Sequence, residues 1–131
     1  LDRIFNEHEY FSKGSESYDV TVKLIKRFKQ SVEEEGAGFI AVHLPIIEDF
    51  TISYLFSRVF YNQDLIYEEL LDELKQSCNL IETYSYLKNW IEEHSTSELF
   101  MTRHYSPVAN ELIAKRIYNY LNLNYEIFSG K

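Results

Sequence analysis

The sequence predicts an α/β fold in which helices cover both faces of a small parallel sheet. Helical periodicity alternates along the chain with two short apolar runs, at 39–44 and 79–84, and this alternation is typical of parallel strands joined by crossover helices. The run at 39–44 is apolar almost throughout, as in a strand that is buried on two faces. Only four glycines and two prolines interrupt the chain, which is too few for a many-turned β architecture.

The pattern of the first 35 residues predicts an N-terminal segment of open structure, the lead-in, followed by one helix. Residues 1–17 are polar and aromatic without periodicity, so their structure is left open. Apolar residues recur at helical spacing over 18–35, and Leu24 and Phe28 are expected to face the core. Gly36 follows the last turn, where a helix often ends in a left-handed residue.

The middle of the chain predicts a strand and two helices. The strand at 39–44 is expected to place Val42 in the core. It also contains His43, which we interpret as a hydrogen-bonded structural histidine rather than a catalytic one. A poorly phased helix is predicted over 48–60 and a clear amphipathic helix over 64–77. The apolar stripe of the second helix ends at Cys78. We expect Cys78 to be a small buried residue rather than a reactive thiol.

The last third of the chain predicts a second strand at 79–84, a short helix at 87–93 and an extended stretch at 99–101. A final helix is then predicted to begin at Ser106, a natural N-cap that is followed by a proline at the first helical position. Its periodicity continues to residue 121. The strand count of the predicted parallel sheet is therefore two or three, below the number usual for doubly wound domains.

Size and composition bound the function. A chain of 131 residues makes one domain or a domain fragment, here with 1–17 as lead-in, 18–122 as body and 123–131 as tail. An apolar share of 45% argues against disorder. Thirteen basic against 21 acidic residues give a net charge of −8, which argues against nucleic acid or an anionic membrane as the main partner. No apolar run is long enough for direct membrane insertion.

Most motifs that carry chemistry are absent from the sequence. There is no glycine-rich phosphate loop, no H-E-x-x-H helix and no G-x-S-x-G turn. One cysteine excludes an internal disulfide, and the four histidines show no metal-ligand spacing. We therefore predict neither a metal nor a cofactor.

His104 is the candidate site residue, because its position in the predicted fold and the chemistry of its side chain both indicate a functional role. It follows the extended stretch at 99–101 and stands two residues before the capped final helix. Loops of this kind lie where ligands bind in open parallel sheets, and histidine exchanges protons near neutral pH. A structural loop is the alternative interpretation of the same residues.

The stretch 104–114, His-Tyr-Ser-Pro-Val-Ala-Asn-Glu-Leu-Ile-Ala, resembles the last conserved block of the SGNH (GDSL-type) hydrolases. In that block a D-x-x-H or D-x-H segment precedes a small-Pro pair and a terminal helix. Segments 28–45 and 67–83 are also similar to that family, so the resemblance covers about residues 18–122. It implies a three-layer α/β/α, flavodoxin-like domain, of which this chain is the C-terminal portion with two or three strands.

The resemblance implies a C-terminal part of an SGNH-type ester hydrolase or O-acyltransferase acting on a small-molecule or glycan acyl ester. His104 is then the catalytic general base, and the serine nucleophile lies outside this chain, which alone is expected to be inactive. The acid expected before the histidine is replaced by Thr102 or Met101, so Glu98 or a backbone carbonyl is left to orient the ring.

Two alternatives remain open. The first is a non-catalytic SGNH-like binding or interaction module, which the absent acid and the eleven tyrosines favour. The second is a receiver-type domain, which ranks last because neither strand ends in an acidic cluster. A small parallel sheet also exposes an edge and apolar helix faces. Self-association, or pairing with an N-terminal portion outside this chain, is therefore expected.

Overall fold

The computed structural model describes the backbone of residues 2–124 and the side chains of residues 6–51 and 53–124. The chain divides into two compact units. The first unit holds the residues up to Ala41 together with Thr51–Leu80, and the second holds Val42–Phe50 together with the residues from Ile81 onward. The predictions made for the tail at 125–131 lie outside the described residues.

The elements follow one another along the chain as helices interrupted by short strands. In chain order they are α1 (Asp2–Phe11), α2 (Glu16–Glu34), β1 (Ile40–His43), α3 (Ile52–Tyr61), α4 (Glu68–Ser77), β2 (Asn79–Glu82), α5 (Tyr84–Ile91), α6 (Thr96–Leu99), β3 (Phe100–Met101), β4 (His104–Tyr105) and α7 (Pro107–Leu123). A single 3-10 turn, Ile47–Phe50, precedes α3.

Strands β1 and β2 form a two-stranded parallel sheet. The predicted α/β class is thereby confirmed, and both strands lie where the apolar runs predicted them. The extended stretch near Phe100 does not join this sheet. Instead, β3 pairs antiparallel with β4 in a separate hairpin, in the register Phe100 to Tyr105 and Met101 to His104.

The core of the first unit lies between α2 and α4. Tyr18 and Val22 of α2 are buried against Leu70 and Leu74 of α4. Ser15 begins α2, because its side chain accepts a hydrogen bond from the Tyr18 amide at 3.2 Å. Cap and core together explain why α2 starts before the predicted position and packs through this face.

Three of the predicted core residues are wrong. Leu24 and Phe28 are 62% and 61% exposed, and Val42 is 37% exposed. Helix α2 is apolar on two faces, and helical periodicity alone does not tell which of them is covered. The prediction for Cys78 is confirmed: the thiol is buried and donates to the Leu74 carbonyl at 3.3 Å, and burial raises its pKa.

The core of the second unit gathers around the start of α7. Its buried members are Leu87, Leu99, Phe100, Ala109 and Ile113. The predicted cap of α7 is confirmed, because the Ser106 side chain accepts from the Ala109 amide at 3.1 Å and Pro107 occupies the first turn.

Helix α6 was not predicted. It has only four residues and is begun by a Ser95–Glu98 capping box. The apolar pattern of so short a helix is too brief to be read from the sequence.

Candidate functional site

His104 lies on the surface, on the second strand of the hairpin. It pairs with Met101, so only Thr102 and Arg103 separate the two strands. The ring is exposed, and Ser106, the N-cap of α7, follows two residues later. The structure thus places the imidazole at an open hairpin next to a capped helix, rather than behind a strand of the parallel sheet.

Glu98, the carboxylate expected to orient His104, is engaged elsewhere, and Thr102 stands where an acid was expected. Thr102 takes a left-handed conformation with φ of 61° in the turn, which is uncommon for a residue other than glycine. The Glu98 carboxylate accepts the Ser95 amide at 3.0 Å as part of the capping box. Among the side chains that the structure describes, 6–51 and 53–124, none forms a hydrogen bond or an ion pair with the His104 ring. Its tautomer is therefore not fixed by the described part of the chain.

Tyr105 anchors the strand that carries His104. Successive side chains of a strand point to opposite sides, and Tyr105 is turned inward, where its hydroxyl donates to the carbonyl of Pro45 and its ring contacts Phe100. Burial, with the negative charge of Asp49 as a second cause, raises the pKa of Tyr105 to about 12. The backbone at His104 is thus held by a buried neighbour while the histidine ring stays in solvent.

A second cluster of polar side chains lies at the carboxyl ends of β1 and β2. His43 Nδ1 is 3.8 Å from Glu82 Oε1, and the two side chains are 10% and 19% exposed. The Thr83 hydroxyl donates to the His43 carbonyl at 2.6 Å, and Glu82 Oε1 also accepts the Ser85 amide at 3.0 Å. Because parallel strands end at one edge of a sheet, the sequence does hold a signal for this cluster. The pairing of His43 with Glu82 was nevertheless missed.

The charge on Glu82 is stabilised by its neighbours. Burial raises its pKa, but His43 and Ser85 act in the opposite direction and leave the pKa below the ordinary value. The carboxylate therefore lies between the imidazole and the first turn of α5. A hydrolytic triad needs the imidazole in the middle position, between carboxylate and hydroxyl. These contacts form a structural clamp between the two strand ends.

The described residues offer no cluster for a metal. Among them, no group of three or more histidine, cysteine, aspartate or glutamate side chains is placed to hold an ion. No helix among them is long and apolar enough to cross a bilayer.

Comparisons with protein-family models, curated proteins and solved structures find no match for this chain.

Proposed function

We propose that this chain is the C-terminal part of an SGNH-type ester hydrolase or O-acyltransferase, in which His104 is the general base. The serine nucleophile is supplied by sequence outside this chain. The observation that carries the proposal is the exposed imidazole two residues before the capped helix α7, in the segment that resembles the histidine block of that family.

The chemistry asked of His104 is a proton shuttle. The neutral ring takes the proton of the serine hydroxyl as the oxygen attacks the ester carbonyl, and it returns that proton to the alkoxide that leaves. A second cycle with water, or with an acceptor alcohol, releases the acyl group. Without the nucleophile and the oxyanion donors this chain lacks the largest contributions to the rate.

The hairpin suits this task because one side of β4 is held by hydrogen bonds to the rest of the second unit, whereas the other side faces solvent. Tyr105 bonds the buried carbonyl of Pro45, and the Ser106 amide donates to the Leu99 carbonyl at 2.8 Å. His104, on the opposite side of β4, is open to a group from elsewhere. A base whose backbone is held in this way loses little conformational freedom when its partner arrives.

The test is ester hydrolysis by the complete polypeptide that contains this chain, with p-nitrophenyl acetate as substrate. We expect His104→Ala to lower kcat by about three orders of magnitude or more. His94→Ala is the matched control, because His94 is an exposed histidine whose Nδ1 lies 2.8 Å from the Trp90 carbonyl, and it should leave the rate unchanged. Equal rates with and without the His104 ring would remove the catalytic assignment.

The second candidate is a non-catalytic SGNH-like binding or interaction module. It is favoured by the place of Thr102 in a tight turn where an acid is expected, and by the engagement of Glu98 in the cap of α6. The sequence upstream of this chain separates the two candidates. A strand that ends in Gly-Asp-Ser supports the enzyme, and its absence supports the module.

A further inference from the structure

One face of helix α2 binds helix α4, and its contacts show what kind of helix α2 accepts. Tyr18 and Val22 are buried against leucines of α4, and Lys26 Nζ lies 2.9 Å from Glu73 Oε1. The hydrogen bond from Lys26 is the first cause that lowers the pKa of Glu73. Lys29 adds a hydrogen bond from its ammonium group to the Ser77 carbonyl at 3.3 Å. The contact is therefore an apolar row bordered by cations.

Helix α4 is the acidic amphipathic partner in this contact. Its ten residues include Leu70, Leu71 and Leu74, all buried. Four acidic residues and one lysine make up its charged positions. An acidic helix with one leucine face is thus what a cation-bordered apolar row on α2 recognises within the first unit.

The outer face of α2 repeats this composition and is largely exposed, with one contact: the ring of Phe28 packs edge-on against the buried Phe39 at a centroid distance of 5.5 Å. Val20, Leu24 and Phe28 follow one another every four residues, so they form one row on the helix, and they are 46%, 62% and 61% exposed. Lys23 and Arg27 border the row, and both line an open cleft on the same helix together with Lys26 and Glu34, so three cations and one carboxylate face it. Among the side chains that the structure describes, 6–51 and 53–124, neither Lys23 nor Arg27 is part of an ion pair. We name Val20, Leu24, Phe28, Lys23 and Arg27 the outer row.

We propose that the outer row is a docking surface for an acidic amphipathic helix of a partner protein. Apolar anchors spaced by four residues are how grooves and helix faces receive a partner helix. The chain carries a net charge of −8, so an acidic partner is repelled by most of the surface and attracted where Lys23 and Arg27 stand without partners. Charge then determines where on the surface the partner helix binds, and the apolar row contributes most of the affinity.

This occupant fits better than the other classes of partner. Two unpaired cations on a chain of charge −8 are a weak footprint for a phosphate backbone or an anionic lipid surface. A contiguous apolar row on a solvent-exposed helix face is typical of a surface that binds a partner. The inference is independent of the ester hydrolysis proposed above, since it uses none of the residues near His104.

The test uses fluorescence anisotropy with a peptide that α2 already recognises. The probe is a fluorescein-labelled, hydrocarbon-stapled peptide of residues 65–77, titrated with the full chain. We expect saturable binding that weakens about tenfold or more in Leu24→Ser, because a leucine side chain is removed from the contact. The matched control peptide carries lysine at the four acidic positions of α4 and should bind at least tenfold more weakly.

Charge reversal makes the test specific for the outer row. In Arg27→Glu the acidic peptide should lose affinity and the lysine peptide should gain it. Leu24 and Phe28 are exposed, so the variants are expected to keep the fold, which circular dichroism checks.

Several results would overturn the proposal. The first is that the acidic peptide does not bind, and the second is that the acidic and lysine peptides bind with equal affinity. The third is that Leu24→Ser leaves the affinity unchanged, which is expected if the peptide displaces α4 instead of binding the outer row. Tighter binding of an uncharged extended peptide of residues 38–46 would identify a strand as the occupant. A dimer in sedimentation that Leu24→Ser abolishes would identify a second copy of this chain.

Discussion

Replacing Tyr105 by phenylalanine removes a single oxygen from the strand that holds His104. In the wild type the hydroxyl donates to the carbonyl of Pro45, a residue that is almost fully buried. The substitution keeps the ring and its contact with Phe100. What it leaves behind is a buried carbonyl without this donor.

An unsatisfied buried acceptor costs about 1–3 kcal/mol, so the free energy of unfolding should fall by that amount near neutral pH. A second contribution depends on pH, because the pKa of Tyr105 is raised to about 12 in the folded chain. An unfolded tyrosine ionises near pH 10, about two pH units lower, so the wild type loses stability as the pH rises from about 10 to 12, by at most about 3 kcal/mol. The phenylalanine variant has no such proton, and its deficit should shrink over the same interval.

The assay is urea unfolding followed by circular dichroism, at about pH 8 and again at about pH 11, between the two pKa values. Tyr118→Phe is the control, because Tyr118 is 64% exposed on α7, and a surface change of this kind costs within about 0.5 kcal/mol. Equal midpoints for the two variants at neutral pH would refute the anchoring role of Tyr105. A deficit that stays constant up to the higher pH would refute the cause given for its raised pKa.

Three further predictions concern the two cores and the strand ends. Leu99→Ala, at a fully buried site, should cost about 2–5 kcal/mol in urea unfolding, and Leu24→Ala, at an exposed one, should cost less than about 0.5 kcal/mol. Ser106→Ala removes the N-cap of α7 and should cost about 0.5–2 kcal/mol in the same assay, whereas no change would mean that the helix start is held by other contacts. The pKa of Glu82 is lowered in the folded chain, so its carboxylate stabilises the fold at pH values above the ordinary pKa of about 4.3, and this stabilisation is lost as the pH falls through the folded pKa. Glu82→Gln should therefore flatten the acid part of the pH dependence of the free energy of unfolding. An unchanged dependence at acid pH would contradict the clamp with His43.

Local chemistry made some elements predictable from the sequence. Ser106 followed by a proline predicts the start of α7, and Gly36, which has a φ of 79°, predicts the end of α2. The predicted strands at 39–44 and 79–84 correspond to β1 and β2, since short extended segments that alternate with helices are typical of parallel strands. In each case neighbours in sequence carry the information.

Tertiary choices were not predictable in the same way. Leu24 and Phe28 have the spacing of a core face, but α4 covers the opposite face of α2. The pairing of β3 with β4 depends on a turn in which Thr102 adopts a left-handed conformation, for which threonine gives no sequence signal. The covered face of α2 is decided by residues distant in sequence, whereas the hairpin depends on a local turn that its residue types do not signal.

The candidate site was predictable only as a residue. His104 was identified from its place before the final helix, and the resemblance gave it a role. The contact of His43 with Glu82 requires two strand ends, about forty residues apart, to meet in register. That is a property of the sheet and not of either run of residues.

The central claim is that His104 activates a serine that lies outside this chain. A fluorescent fluorophosphonate reacts covalently with activated serines, so it measures that claim without any assumption about the substrate. In the complete polypeptide we expect rapid labelling of one serine, and labelling slowed by several orders of magnitude in His104→Ala while His94→Ala is labelled like the wild type. Absence of a labelled serine, or labelling at the same rate without the His104 ring, would contradict the account.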